Sequence, residues 1–312
     1  MHLLYYWRPD NHRRDLDYGA GFHLNQKNDL LHAVDLGESV WAFTRNRAGR
    51  YVLASELVVK AKTFNAARFR YGPYRVWGSL DHSRYFETEC QPSVEHVIRS
   101  LSVTTNARLL GQSFQGLAAV KALTDEDHGV LLAASAGLAE EPRARILPEE
   151  RLEAAVLLDD REAVEDLVRG EKPGVAEARQ AYLYEAAPTR NRQLAAELQQ
   201  MYGGRCQICL WDPHDGYGHA LCHAHHVHWL SRGGADELEN LMLVCPNHHA
   251  AIHRTDTPFD FRTGTYPFPL TPETVRLNRH LPIWSEINGE PDDRAGQRDG
   301  RGAAQVSSPS SR

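Results

Sequence analysis

Over roughly the first sixty positions the apolar residues fall into short runs with the period of strands. Leu3 to Trp7 is a brief apolar and aromatic run. Ser39 to Thr44 alternates with period two between Gly37 and the turn Asn46–Gly49, and Tyr51 to Val59 follows that turn. Two such runs joined by a tight Gly-containing turn predict a hairpin or meander. Between the first two runs, Gly19 to Asn25 reads as a loop, with His32 near the start of the next element.

From about residue 92 the pattern becomes helical. Short helical turns are expected from Ser93 or Val94 to Leu101, and a helix starts at Thr124, a capping residue followed by acidic side chains in the first turn. Another starts at Leu147 with Pro148 as its first residue, and Asp160 to Arg169 continues or restarts it as far as the break Gly170–Gly174. Val175–Tyr184 and Arg190–Tyr202 are two further helices. Beyond His253 a Pro-rich, partly aromatic stretch runs to about Ile287, and 288–312, almost without apolar residues, is expected to be disordered.

Charge changes this picture locally. The net charge is −6, yet Thr124 to Glu177 holds fifteen Asp/Glu against six Lys/Arg, which leaves the rest of the chain positive. That acidic run reads as a solvated helix face. From Lys60 to Arg84 there are six basic residues and one acidic residue, Asp81, with aromatics interleaved. Arg68, Arg70, Arg75 and Arg84 are placed to contact phosphates, and Tyr71, Tyr74, Trp77 and Tyr85 to stack on a base. An edge strand with inward aromatics and solvated arginines fits the same residues equally well.

The 312 residues suggest two or three domains, and composition is that of a soluble globular protein. No apolar run reaches membrane-spanning length, and the first residues do not read as a signal peptide. The five cysteines point to a reducing, cytoplasmic setting and to metal rather than disulfides.

Nine of the 17 histidines and four of the five cysteines fall between Cys206 and His253. Cys206/Cys209 and Cys245/His248 are two ligand pairs separated by 35 residues, the arrangement that closes a tetrahedral structural zinc site of Cys3His type. Cys222 lies outside both pairs and reads as core. His225 and His226 are adjacent at the end of a strand, so they point to opposite faces. His249 and His253 are four apart on a helix and share a face. Strand, loop and helix would then bring His225, His249 and His253 to one divalent ion and leave His226 as general base toward a phosphodiester. Asn240 lies in the intervening loop, where its amide can hold the loop and orient the base. Arg232 is a further phosphate-contact candidate, and a plain solvated arginine there is an equal reading.

The run Ala224-His-His-Val-His-Trp-Leu-Ser-Arg-Gly-Gly234, then Asp236 and Asn240-Leu, then Val244-Cys-x-x-His-His-x-x-x-His253 resembles the HNH nuclease superfamily. The resemblance implies a ββα-metal fold, with His226 as general base, His225 and His253 as metal ligands, Asn240 as the central Asn and His249 as the second motif His. It also implies Mg2+, or Mn2+, Co2+ or Ni2+, as catalytic ion. His248 departs from it, since zinc-bearing relatives usually have a second Cys there. The front, through Leu4-Tyr-Tyr-Trp7, Gly37 to Thr44 and Tyr51 to Val59, more loosely resembles PUA-like domains of the EVE kind, which flip a modified base into an aromatic pocket. Tyr6, Trp7, His23 and Trp41 are the pocket candidates, and core packing is an equal alternative for each.

The expectation is an α+β multidomain protein. Residues 1–120 would be a PUA-like β-barrel reader, 121–188 a helical connector, 189–270 the HNH domain with structural zinc, and 271–312 an extension. Its function would be modification-dependent cleavage of double-stranded DNA in the cytoplasm, with a homodimer if both strands are cut. A nicking or mobile-element nuclease and a non-catalytic zinc DNA-binding module are the alternatives.

Overall fold

The computed structural model describes residues 1–103, 107–171, 174–184 and 188–284. The expected disorder of 288–312 therefore lies outside the described residues.

The front half is an open mixed sheet. Its elements are β1 (His2–Tyr6), α1 (Pro9–Tyr18), β2 (His23–Gln26), α2 (Leu30–Ala33), β3 (Ser39–Arg45), β4 (Tyr51–Phe64), β5 (Tyr74–Gly78), β6 (Arg84–Tyr85), α3 (Glu95–Ser100) and β7 (Val120–Leu123). The strand order is β2-β5-β4-β3-β1-β7, with β6 added on β4. Among the described residues only β1 and β3 pair in parallel. Among the described residues no ladder joins β2 to β7, so the path stays open. The predicted β3–β4 hairpin forms, its turn closed by Gly49 N–H donating to Asn46 O at 2.9 Å.

β4 runs on past the predicted strand and serves two neighbours. Its first part pairs with β3 and its last with β5, with a register shift between Val59 and Ala61. A bulge of this kind bends a strand, which lets β4 turn from one half of the sheet into the other. Successive residues bury on opposite faces. Leu3, Val40 and Val76 belong to one core, and Leu4, Trp41 and Phe43 to the other.

Several sequence expectations change here. Residues expected as loop include β2, whose four residues alternate too weakly to signal a strand but pair with β5. β7 pairs with β1, and Leu131 of α4 (Asp125–Ser135) joins the Trp41 core, so the sheet unit extends past residue 120. Thr124 caps α4 through the expected capping box.

The helical segment continues with α5 (Glu149–Leu158), α6 (Arg161–Val168), α7 (Val175–Tyr184) and α8 (Pro188–Tyr202). Pro148 is the N-cap of α5 and not its first residue. Leu152, Val156, Val164 and Leu167 form a small core that also takes in Leu230 from the C-terminal unit. The acidic run is only partly a solvated face: Glu149 and Glu153 are buried.

The C-terminal unit contains α9 (Pro213–Tyr217), β8 (His223–His226), β9 (Leu241–Val244), α10 (Pro246–Thr255) and a small pair, β10 (Thr265–Tyr266) and β11 (Glu273–Thr274). Its core joins Leu198 and Tyr202 of α8 to Ile208, Leu243, Ile252, Tyr266 and Ile283, so residues beyond 271 help close it. Phe261 N–H donates to Phe64 O at 3.1 Å and Trp284 Nε1 donates to Asn65 O at 2.9 Å, which ties this unit to the end of β4. Among the described residues no helix is long and apolar enough to cross a membrane.

Candidate active site

β8 and β9 pair antiparallel with His225 opposite Met242 and His226 opposite Leu241, and α10 follows at once with Cys245 as its N-cap and Pro246 in its first turn. The result is two strands and a helix in chain order. Although strand alternation starts His225 and His226 on opposite sides of the ribbon, the Nδ1 atoms of both reach one carboxylate, that of Glu153. The four-residue spacing stacks His249 over His253, ring centroids 4.6 Å apart, and both meet His225, at 5.3 and 4.9 Å.

A fourth side chain enters this cluster from the helical segment. Glu153 Oε2 lies 2.9 Å from His249 Nε2, 3.2 Å from His253 Nε2 and 3.4 Å from His225 Nδ1. Glu153 Oε1 accepts from the His226 backbone N–H at 2.5 Å and faces His226 Nδ1 at 2.9 Å. One ligand atom from each of Glu153, His225, His249 and His253 lies within 4.8 Å of the others. The buried His225 Nε2 has no hydrogen-bond partner. A convergent set of imidazoles and a carboxylate is a donor set for a divalent ion, so the residues fit the metal that the sequence resemblance implies.

Electrostatics follow from this packing. Burial alone would raise the Glu153 carboxyl, but His225, with His226 and His249, holds it well below the usual carboxylate range. Burial lowers His225, which favours the neutral, ligating ring. Burial also acts to lower His226, but its contacts with Asp236 and Glu153 outweigh that and push it up to about 9. His226 Nε2 faces Asp236 Oδ1 at 2.9 Å, so both ring nitrogens are engaged, each by a carboxylate.

Asn240 clamps the loop. Its Nδ2 donates to His228 O at 2.9 Å and Ala235 O at 2.7 Å, and its Oδ1 accepts from His228 N–H at 2.8 Å. The direct partners of the His226 ring are Asp236 and Glu153. Glu149 fixes the next turn by accepting from Leu230 N–H at 2.7 Å and Ser231 N–H at 2.8 Å.

The second cluster gathers Cys206, Cys209, Cys245 and His248, again with ligand atoms within 4.8 Å. Cys245 Sγ and Cys206 Sγ lie 3.1 and 3.6 Å from His248 Nδ1, and Cys209 Sγ lies 4.0 Å from Cys245 Sγ. A tetrahedral ion with bonds of about 2.3 Å to sulfur separates its sulfurs by about 3.8 Å, so this set has the size of such a site. Cys245 and His248 hold the Cys206 thiol down to about 3 against its burial, which favours the ligating thiolate. His248 Nε2 meets Glu273 Oε2 at 2.8 Å, the outer carboxylate that orients a ligating histidine. Burial pushes the Cys222 thiol up to about 12, as suits a core residue.

The front-half candidates divide. Arg68, Arg70 and Tyr71 are exposed, with Arg70 over the Tyr71 ring at 5.6 Å. Arg75 is buried, with its Nε donating to Asn25 Oδ1 at 2.7 Å, and Arg84 pairs with Glu56. Arg232 is buried too, paired with Asp256 and lying 4.7 Å over the Trp229 ring and 5.7 Å from that of Trp77. Arg75 and Arg232 are thus internal cations rather than free phosphate contacts, because buried guanidinium groups take fixed partners.

Tyr6, Trp7, His23 and Trp41 do not converge on one pocket. Trp41 is fully buried and donates to His128 Nδ1 at 3.0 Å. Tyr6 packs on Phe43 and Tyr51, and Trp7 donates to Asp15 at 3.3 Å. His23 and Trp77 pack instead on His228 in the loop after β8, at 5.0 and 5.6 Å. A cavity of about 320 Å³ between Phe22, Tyr85, Glu141 and Arg145 is lined by Arg84 but by none of the four pocket candidates.

Glu153 was not singled out by motif reading, because it lies outside the motif. A signal was present, however. Glu149, Leu152, Glu153 and Val156 occupy positions i, i+3, i+4 and i+7, so the two carboxylates fall on the apolar stripe that α5 buries.

Residues 206–255 match the model of the family described as HNH endonuclease, so that segment carries an HNH endonuclease domain. A curated protein named Anaredoxin, from a Nostoc species, is 23% identical over 73 residues, which are 23% of this chain and 88% of that protein. A solved structure described as the Type IV phosphorothioation-dependent restriction endonuclease ScoMcrA is 15% identical with a TM-score of 0.20, too low to indicate a shared overall fold. The match covers 73% of this chain and 46% of that one, so the chain spans about half the length of that protein.

Proposed function

We propose that the protein is a metal-dependent DNA endonuclease that restricts modified DNA in the cytoplasm. The observation that carries the nuclease reading is the convergence of His225, His249 and His253 beside His226 on a two-strand-and-helix unit. His226 is the general base: it takes the proton of the attacking water as the neutral ring, after release of one of its two carboxylate partners lowers its pKa and lets that ring nitrogen shed its own proton to solvent. Asp236 orients the ring, and Asn240 holds the loop that carries it. A divalent ion, Mg2+ or Mn2+, Co2+ or Ni2+, held by the three histidines would supply Lewis-acid stabilisation of the phosphate. The Cys206, Cys209, Cys245 and His248 set would hold a structural Zn2+.

In this reading residues 1–120, with β7, form a PUA-like reader, 121–188 the connector, and 189–270 the nuclease with its extension. Support for the reader comes from the resemblance of the strand-forming segments and from the exposed Arg68, Arg70 and Tyr71, which could track a DNA backbone. A cut through both strands by one such centre would call for a homodimer. The test is cleavage of modified and unmodified plasmid with each of the four ions. Cutting of the modified plasmid alone supports the full reading. Equal cutting removes the reader, and cutting of neither removes the nuclease.

A further inference from the structure

We infer that Glu153, carried by a helix outside the HNH segment, is the fourth protein ligand of the catalytic ion. The inference rests on the nuclease reading above and adds a residue to its centre. A single carboxylate oxygen, Oε2, faces one nitrogen from each of the three histidines, at 2.9, 3.2 and 3.4 Å. Ligands about 2.1 Å from an ion lie about 3.0 Å apart when cis in an octahedron and about 3.4 Å apart in a tetrahedron. The three oxygen–nitrogen distances fall within or close to that interval. Without a cation, three imidazoles can face one oxygen only if each presents it an N–H, which crowds three donors onto one acceptor, whereas a cation among the four lets each ring present a lone pair instead.

The other oxygen has a separate task. Oε1 accepts from the His226 backbone and faces its ring, so one carboxylate spans ligand set and base. Glu149, one turn earlier on α5, accepts from the Leu230 and Ser231 backbone and fixes the helix against the loop. The ion is therefore held jointly by two parts of the chain, and its binding requires α5 to be docked. Four protein ligands still leave two octahedral positions for water and phosphate. A carboxylate in the set also favours harder ions than three imidazoles alone would.

The test is calorimetric titration of the full-length, zinc-loaded protein with Mn2+ and with Co2+, for wild type, Glu153→Gln, Glu153→Asp and His225→Ala. Visible absorption of the Co2+ forms is recorded in parallel. Loss of the ligand predicts at least tenfold weaker Mn2+ binding in Glu153→Gln, a smaller loss for Co2+, a shifted Co2+ spectrum and partial recovery in Glu153→Asp. The proposal is overturned if Glu153→Gln binds both ions as tightly as wild type with an unchanged spectrum. Glu153 would then be a plug that the ion displaces. If wild type binds no more metal than His225→Ala, the nuclease reading itself falls and the proposal falls with it. Unchanged zinc content and a cooperative melt show that each variant is folded.

Discussion

Glu153 Oε1 lies 2.9 Å from His226 Nδ1 across a separation of 73 residues, so the ring at the centre of the site is oriented from the helical segment as well as from its own loop. Asp236 holds the opposite nitrogen from within the loop. The geometry of the His226 ring is therefore shared by two stretches of chain, only one of which lies in the family motif.

Asn240 tests the loop. Its amide makes three hydrogen bonds to the 228–235 backbone, and truncation removes all three at roughly 0.5–1.5 kcal/mol each. Asn240→Ala should lose about 2–4 kcal/mol of stability in urea unfolding and cut more slowly, with divalent-ion affinity near that of wild type. Asn240→Asp should keep only the acceptor half of the clamp and fall between the two.

The arginines should separate by burial. Arg232 is paired with Asp256, which also binds Lys60, and it sits against two tryptophans. Removing one partner of a buried pair costs about 3 kcal/mol or more, so Arg232→Ala should lower the melting temperature. Arg70→Ala should leave stability unchanged and reduce the salt slope of DNA binding by about one. A salt-slope change from Arg232→Ala without destabilisation would contradict this division.

The cysteine–histidine cluster should hold one zinc per chain. Chelation or Cys206→Ser should unfold the C-terminal unit, since β9 ends and α10 starts at Cys245 of that knot. Glu273→Gln should weaken zinc binding roughly 10- to 100-fold through the His248 ring. Metal analysis and competition with a chromogenic chelator measure both.

Much of this was legible in the sequence. The hairpin, the Thr124 cap and the order strand, loop, helix around the histidines follow from local patterns. β2 and β7 were not legible, because four-residue strands gain their stability from neighbours and carry too few positions for a period to appear. Arg75 lies among aromatic residues and Arg232 in a Ser/Gly-containing loop, and only tertiary packing shows that both are internal. Glu153 was hidden by its surroundings, an acidic run from 124 to 177 whose other carboxylates are mostly exposed.

Acid should destabilise the front unit through His12. Its ring is buried with Nε2 unpartnered, and burial, helped by Arg143, lowers its pKa to about 4. The folded value lies below the unfolded one near 6.5, so the unfolded chain binds the proton more readily. The contribution is complete above about pH 6.5 and is lost as pH falls toward 4. The loss at pH 5 is about 2 kcal/mol. His12→Phe should flatten that part of the stability profile in denaturant titrations at pH 7.5 and 5.

The most direct test of the central claim is single-turnover cleavage of plasmid DNA by wild type and His226→Ala, both saturated with Mn2+ as verified by titration. The account predicts metal-dependent cutting by wild type and a rate at least 100-fold lower in the variant at equal metal occupancy. Equal rates would contradict it, and the chemistry would then lie elsewhere in the chain.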